Sequence, residues 1–131
     1  MAKASIGTSD TRVETVDGLR LFVRFWRPEG TARSVITLVP GFNAHSGYYA
    51  WAAEQLADRG VAVYAVDLRG RGHSDGERFY VEKFADYVSD VGAVVSLAKE
   101  RESYRYSCSV TARAASWPAS IRSNIQANSL V

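Results

Sequence analysis

The sequence predicts an α/β fold, the first half of a sheet in which an antiparallel hairpin leads into parallel strands with flanking helices. Three observations carry this. Asp17-Gly18 lies between two strand-like runs, a strong hairpin signal because both residues tolerate positive φ. Two short runs rich in β-branched residues, 35–39 and 61–66, lack polar alternation, which suits strands buried on both faces of a parallel sheet. A helical pattern follows each of them, giving the order β-β-β-α-β-α.

Residues 13–16 and 19–27 form the hairpin arms. Leu21, Val23 and Phe25 alternate with Phe22, Arg24 and Trp26, so one face is apolar and the other mixed, as at a partly covered sheet edge. Pro28-Glu29-Gly30 breaks that strand. Val35-Ile36-Thr37-Leu38-Val39 follows, and Pro40-Gly41 ends it. Ser46 can cap a helix over 47–59, with Gly60 as its stop and Trp51 and Leu56 as its largest apolar anchors. The second buried strand, 61–66, ends at Asp67, and a polar loop runs on to about residue 80. Phe84, Tyr87, Val88, Val91, Val94, Val95 and Ala98 recur at three- and four-residue steps, predicting an amphipathic helix over about 82–100. A strand, a helix and a second strand make a parallel crossover.

The 131 residues, 47% of them hydrophobic, allow one domain and exclude wholesale disorder. Residues 1–10 are small and polar, read as a flexible N-terminus without the apolar core of a signal peptide. No apolar run approaches the roughly 20 residues of a membrane span. The expected location is cytoplasmic. Cys108 is the single cysteine, so no internal disulfide forms, and no Cys/His cluster offers a metal site. No cofactor is expected. A formal net charge of +2 is too small to imply a nucleic-acid partner.

Composition changes near residue 102. Residues 1–102 hold all 14 acidic side chains and 13 of the 16 basic ones. Residues 103–131 hold no acid and no glycine, but Arg105, Arg113, Arg122 and seven serines. The chain therefore divides into the N-terminus 1–10, a partial domain 11–102, and a tail 103–131 foreign to it in composition.

Ligands of open α/β sheets meet the C-terminal ends of the parallel strands. Two loops fall there. In the first, Gly41 lets the chain turn sharply, so that the N–H of Phe42 can face a cavity and stabilise a developing oxyanion. A plain strand-to-helix turn has the same residues. The second contains Gly72-His73-Ser74-Asp75-Gly76, which matches the G-x-S-x-G nucleophile elbow letter for letter. An elbow needs an apolar strand running straight into the first glycine and a helix just after the serine. Asp67-Leu68-Arg69-Gly70-Arg71 intervenes and no apolar helix starts at Asp75, so Ser74 reads as a decoy. His45 and His73 could pair with Asp67 or Asp75 as acid–base groups, or be ordinary hydrogen-bonded loop residues. Asp67 as a ribose ligand fails, because no G-x-G-x-x-G precedes the first helix.

Three segments in order are similar to the α/β-hydrolase superfamily: Asp17-Gly18-Leu19-Arg20-Leu21; Val39-Pro40-Gly41-Phe42 with His45-Ser46-Gly47-Tyr48-Tyr49; and Val66-Asp67-Leu68-Arg69-Gly70-Arg71-Gly72-His73-Ser74. The branch resembled is that of monoacylglycerol lipases, lysophospholipases and serine aminopeptidase-like hydrolases, over residues 11–102. The resemblance implies the N-terminal half of that fold, a small-molecule ester or lipid substrate, and an oxyanion N–H on Phe42 beside Gly41. Members usually carry His-Gly where this chain has Pro40-Gly41, a change that spares the backbone donor. It also implies that the Ser74 segment is structural, and that nucleophile, acid and histidine lie further along, so this chain is expected to be inactive. A non-catalytic module binding a ligand or partner through the same loops is the other reading.

The tail is expected to be a frameshifted stretch of a hydrolase gene. Reading each codon from the last base of the one before, residues 103–118 permit the string L-P-V-F-L-L-G-H-S-A-G-G-V-V-A. Trp117-Pro118 forces its final alanine, because TGG followed by CC reads GCC. That string is a buried strand running straight into an elbow.

Overall fold

The computed structural model describes residues 7–41 and 44–102, and the backbone of 107–111. Five strands form one sheet: β1 (Gly7–Glu14), β2 (Arg20–Arg27), β3 (Ser34–Val39), β4 (Val61–Val66) and β5 (Ser107–Thr111). A 3-10 turn, Ser46–Tyr49, leads into helix α1 (Ala50–Asp58), and helix α2 (Phe84–Arg101) follows β4. The strand order is β1-β2-β4-β3-β5. β2 pairs antiparallel with both β1 and β4, whereas β3 runs parallel to β4 and β5. The hairpin, the parallel pair and the crossover helix are thus where the sequence puts them.

β4 shows why its sequence carries no alternation. Ala62, Val63, Tyr64, Ala65 and Val66 have no exposed surface, because helices cover both faces of the sheet at this strand. On one face α2 lays Tyr87, Val91, Val94, Val95 and Ala98 against Leu21, Val23, Val35, Val39, Tyr64 and Val66. On the other, Ala53 and Ala57 of α1 meet Trp26, Leu38, Val63 and Ala65. Burying a valine fully contributes about 1.5–3 kcal/mol, so β4 anchors the molecule.

Five readings of the sequence are corrected. Residues 7–10, expected to be flexible, are the start of β1. β2 is an interior strand, and β1 takes the edge. The hairpin is looser than a two-residue turn. β1 stops at Glu14: the Thr15 N–H still donates to the Leu19 carbonyl, but the Leu19 N–H turns to the Thr15 hydroxyl, which itself bonds Asp17, and Val16 is left exposed. Ser46 caps no helix; the His45 imidazole Nδ1 accepts the Gly47 N–H instead. Trp51 is 74% exposed and anchors nothing, while the buried residues of α1 are the small Ala53 and Ala57, which let the helix sit close over Trp26.

The tail, foreign in composition to the rest of the chain, nevertheless supplies a strand: β5 pairs with β3, in register from Val35↔Ser107 to Val39↔Thr111. The free edge of β3 offers a row of unpaired backbone groups, which a β-tolerant Ser-Cys-Ser-Val-Thr segment can satisfy without an apolar sequence.

Candidate functional site

The C-terminal ends of β3 and β4 share one sheet edge, and a single carboxylate organises it. Asp67 is fully buried at the end of β4. Its Oδ1 accepts the Ser46 N–H at 2.7 Å and its Oδ2 accepts the His73 N–H at 3.0 Å. Its own N–H donates to the Phe22 carbonyl at 2.9 Å, and its carbonyl accepts the Ser74 hydroxyl. One residue therefore fastens β2, the loop after β3 and the loop after β4. A Cβ on Gly72 would lie 2.2 Å from Asp67 Oδ2, so glycine is required for the carboxylate to sit there. Sequence reasoning weighed Asp67 only as an acid–base partner or ribose ligand. The available signal was a lone carboxylate closing an apolar strand, with glycines three to five residues on.

Ser74 is 2% exposed. Its hydroxyl donates to the Asp67 carbonyl and accepts the Phe22 N–H at 2.8 Å, so both its donor and an acceptor position hold backbone. The His73 ring lies edge-on to Phe22, with centroids 5.0 Å apart, and only its backbone meets Asp67. His45 Nδ1 holds the Gly47 N–H, and the ring rests on Tyr48. Asp75 Oδ2 accepts the Arg20 N–H at 3.2 Å. No histidine side chain is brought to Ser74, Asp67 or Asp75 among the described contacts. The Gly41 carbonyl accepts the Ala44 N–H at 3.0 Å, closing the turn after β3. Phe42, the expected oxyanion donor, lies outside the described residues.

Behind the edge, Arg69 reaches into the core. Its guanidinium makes two bonds to Asp90, at 2.6 and 2.7 Å, and two to Asp17, at 2.9 and 3.2 Å. The bond from Arg69 lowers the Asp17 carboxyl to about 2, whereas burial pushes the Asp90 carboxyl above its ordinary range against the pull of the same arginine. At the other end of α2, buried Glu102 accepts the Tyr64 hydroxyl at 2.9 Å and pairs with Arg27. Burial, and then that carboxylate, raise the Tyr64 phenol. Among the described residues no three His, Cys, Asp or Glu side chains are grouped to hold a metal ion, and no helix is long and apolar enough to cross a membrane.

A profile of the family described as "Serine aminopeptidase, S33" matches residues 30–117. The chain belongs to this family. It is 41% identical over 75 residues to a human protein named monoglyceride lipase, covering 57% of this chain and 25% of that one. It is 34% identical over 83 residues to a monoacylglycerol lipase of Mycolicibacterium smegmatis, covering 63% of this chain and 30% of that one. The chain thus spans less than a third of the length of these relatives. Among solved structures, the alpha/beta hydrolase GrgF from a Penicillium species superposes with a TM-score of 0.63 at 27% identity, over 72% of this chain and 32% of that one. The sheet and helices described above are the N-terminal part of an α/β-hydrolase fold.

Proposed function

We propose that the activity behind this S33-family chain is hydrolysis of carboxylic esters or lipids of the monoacylglycerol or lysophospholipid type, and that the 131-residue chain does not itself perform it. The substrate class is supported by the names of its relatives, the human monoglyceride lipase and the mycobacterial monoacylglycerol lipase. In this reading Gly41 and the backbone N–H of Phe42 form the oxyanion site, and such a donor stabilises the transition state by a few kcal/mol. Ser74 is structural.

The inactivity rests on one observation. The chain has two histidines, His45 and His73. One accepts a backbone N–H, the other packs against Phe22, and neither approaches the Ser74 hydroxyl. Without a base an alcohol stays a weak nucleophile, and oxyanion donors alone leave little catalysis. The test is a fluorophosphonate probe and a panel of acyl esters applied to the purified chain. Neither labelling nor turnover is expected. Labelling that disappears in Ser74→Ala would assign the nucleophile to Ser74 and overturn this reading.

A further inference from the structure

We infer that this gene encodes a catalytic serine out of frame, across codons 111 and 112, at the C-terminal end of β5. The inference rests on the ester-hydrolase reading above for the chemistry that serine performs, but not for its existence. Two independent observations meet at this point in the chain.

The first is the codon arithmetic. From residue 103 the one-base-shifted frame permits Val-Phe-Leu-Leu followed by Gly-His-Ser-Ala-Gly, while the frame as read has no glycine after Gly92. With about one residue in five allowed per position, six specified elbow residues coincide by chance on the order of once in 10⁴.

The second is the place β5 takes. A shift of one base displaces the encoded residue by less than one position, so register carries over. The shifted apolar run falls across codons 105–109 and overlaps β5, which lies parallel to β3 with Val39 opposite Thr111. The serine follows at the strand end, level with the point where β3 gives way to Pro40-Gly41. Paired strands lie about 4.8 Å apart and rise about 3.3 Å per residue. The encoded serine therefore lands roughly 10 Å or less along the backbone from the Gly41 turn, on the edge that Asp67 organises. An elbow serine needs that position, at the top of a buried strand and beside an oxyanion donor.

The nucleotide sequence tests this first. The inference requires TCG-GTC-ACA-GCG-CGG for residues 109–113 (Ser-Val-Thr-Ala-Arg as read), because only those third bases give Gly-His-Ser-Ala-Gly in the shifted frame. A different third base at Ser109 or Thr111 removes the glycine or the serine and overturns it. The second test inserts one base between codons 102 and 103 and expresses the product through to the next stop codon. A fluorophosphonate should label that protein, its phosphorus bonding to the serine oxygen as fluoride leaves with the hydroxyl proton. Replacing the encoded serine by alanine should reduce labelling at least a hundredfold. Labelling that survives the alanine change, or no labelling of a folded product, refutes the assignment. Labelling without hydrolysis of any acyl ester would instead leave the serine standing and remove the proposed substrate class.

Discussion

Asp67 gives one oxygen to the buried Ser46 N–H and the other to the His73 N–H. A buried donor left without an acceptor costs about 1–3 kcal/mol. Asp67→Ala should therefore destabilise the chain by about 2–4 kcal/mol in urea unfolding. Asp67→Asn keeps one acceptor and should cost less; equal costs would mean that the carboxylate does not hold both loops. The glycines around it are expected to rank by geometry. Gly18 (φ +86°) has nothing near its absent Cβ, so Gly18→Ala should cost only the left-handed penalty of about 1–2 kcal/mol. Gly72→Ala adds a clash with Asp67 Oδ2 and should cost clearly more in the same assay. Asp17 makes a pH prediction. Its carboxyl is lowered in the folded state to about 2 by Arg69, so its contribution is present above pH 4 and is lost as the pH falls from about 4 towards 2. The stability gap between the chain and its Asp17→Asn variant should close over that interval. A gap that stays constant would show that the pairing does not set this pKa.

Elements were legible where burial dictates residue type. β3, β4 and α2 follow from apolar runs and three-to-four spacing, which tertiary packing preserves. α1 was legible as a helix but not in its facing, because the large residue was assumed to point inward. Trp26 already fills the space beneath the helix, and only alanine fits against it. Ala57→Leu should thus overpack that contact and cost about 1–3 kcal/mol, whereas Trp51→Ser should change stability by less than about 0.5 kcal/mol. Thermal unfolding of the two variants compares them directly. If Trp51→Ser were the costlier change, the helix would face the other way. β5 was not legible. Its pairing is dictated by what β3 lacks on one side rather than by its own side chains. The Asp67 hub was hidden for a related reason: the partners of a carboxylate that binds backbone N–H groups leave no mark in the residue types around it.

For the molecule as a whole, β5 covers the outer edge of β3 with a strand drawn from the tail. A chain ending at residue 102 should expose the full row of β3 backbone groups and self-associate through it. Light scattering at matched concentrations should show more association for 1–102 than for 1–131. Equal scattering would mean that the edge of β3 is not the adhesive surface. Two internal ties hold the layers together: Arg27–Glu102–Tyr64 fixes the end of α2 to the sheet, and Arg69–Asp90–Asp17 fixes the first half of α2 and the hairpin turn to the loop after β4.

The strand order β1-β2-β4-β3-β5 also has a consequence for how the chain is made. β4 is fourth in the chain but third in the sheet, and it is the strand that joins the hairpin to β3. On a ribosome the hairpin and β3 emerge first, with no ladder between them and their apolar faces still open. Synthesis must pass Val66 before the two pieces become one surface. Arrested nascent chains should accordingly be cut freely by protease when stalled before β4 has emerged, and should gain resistance abruptly once it has.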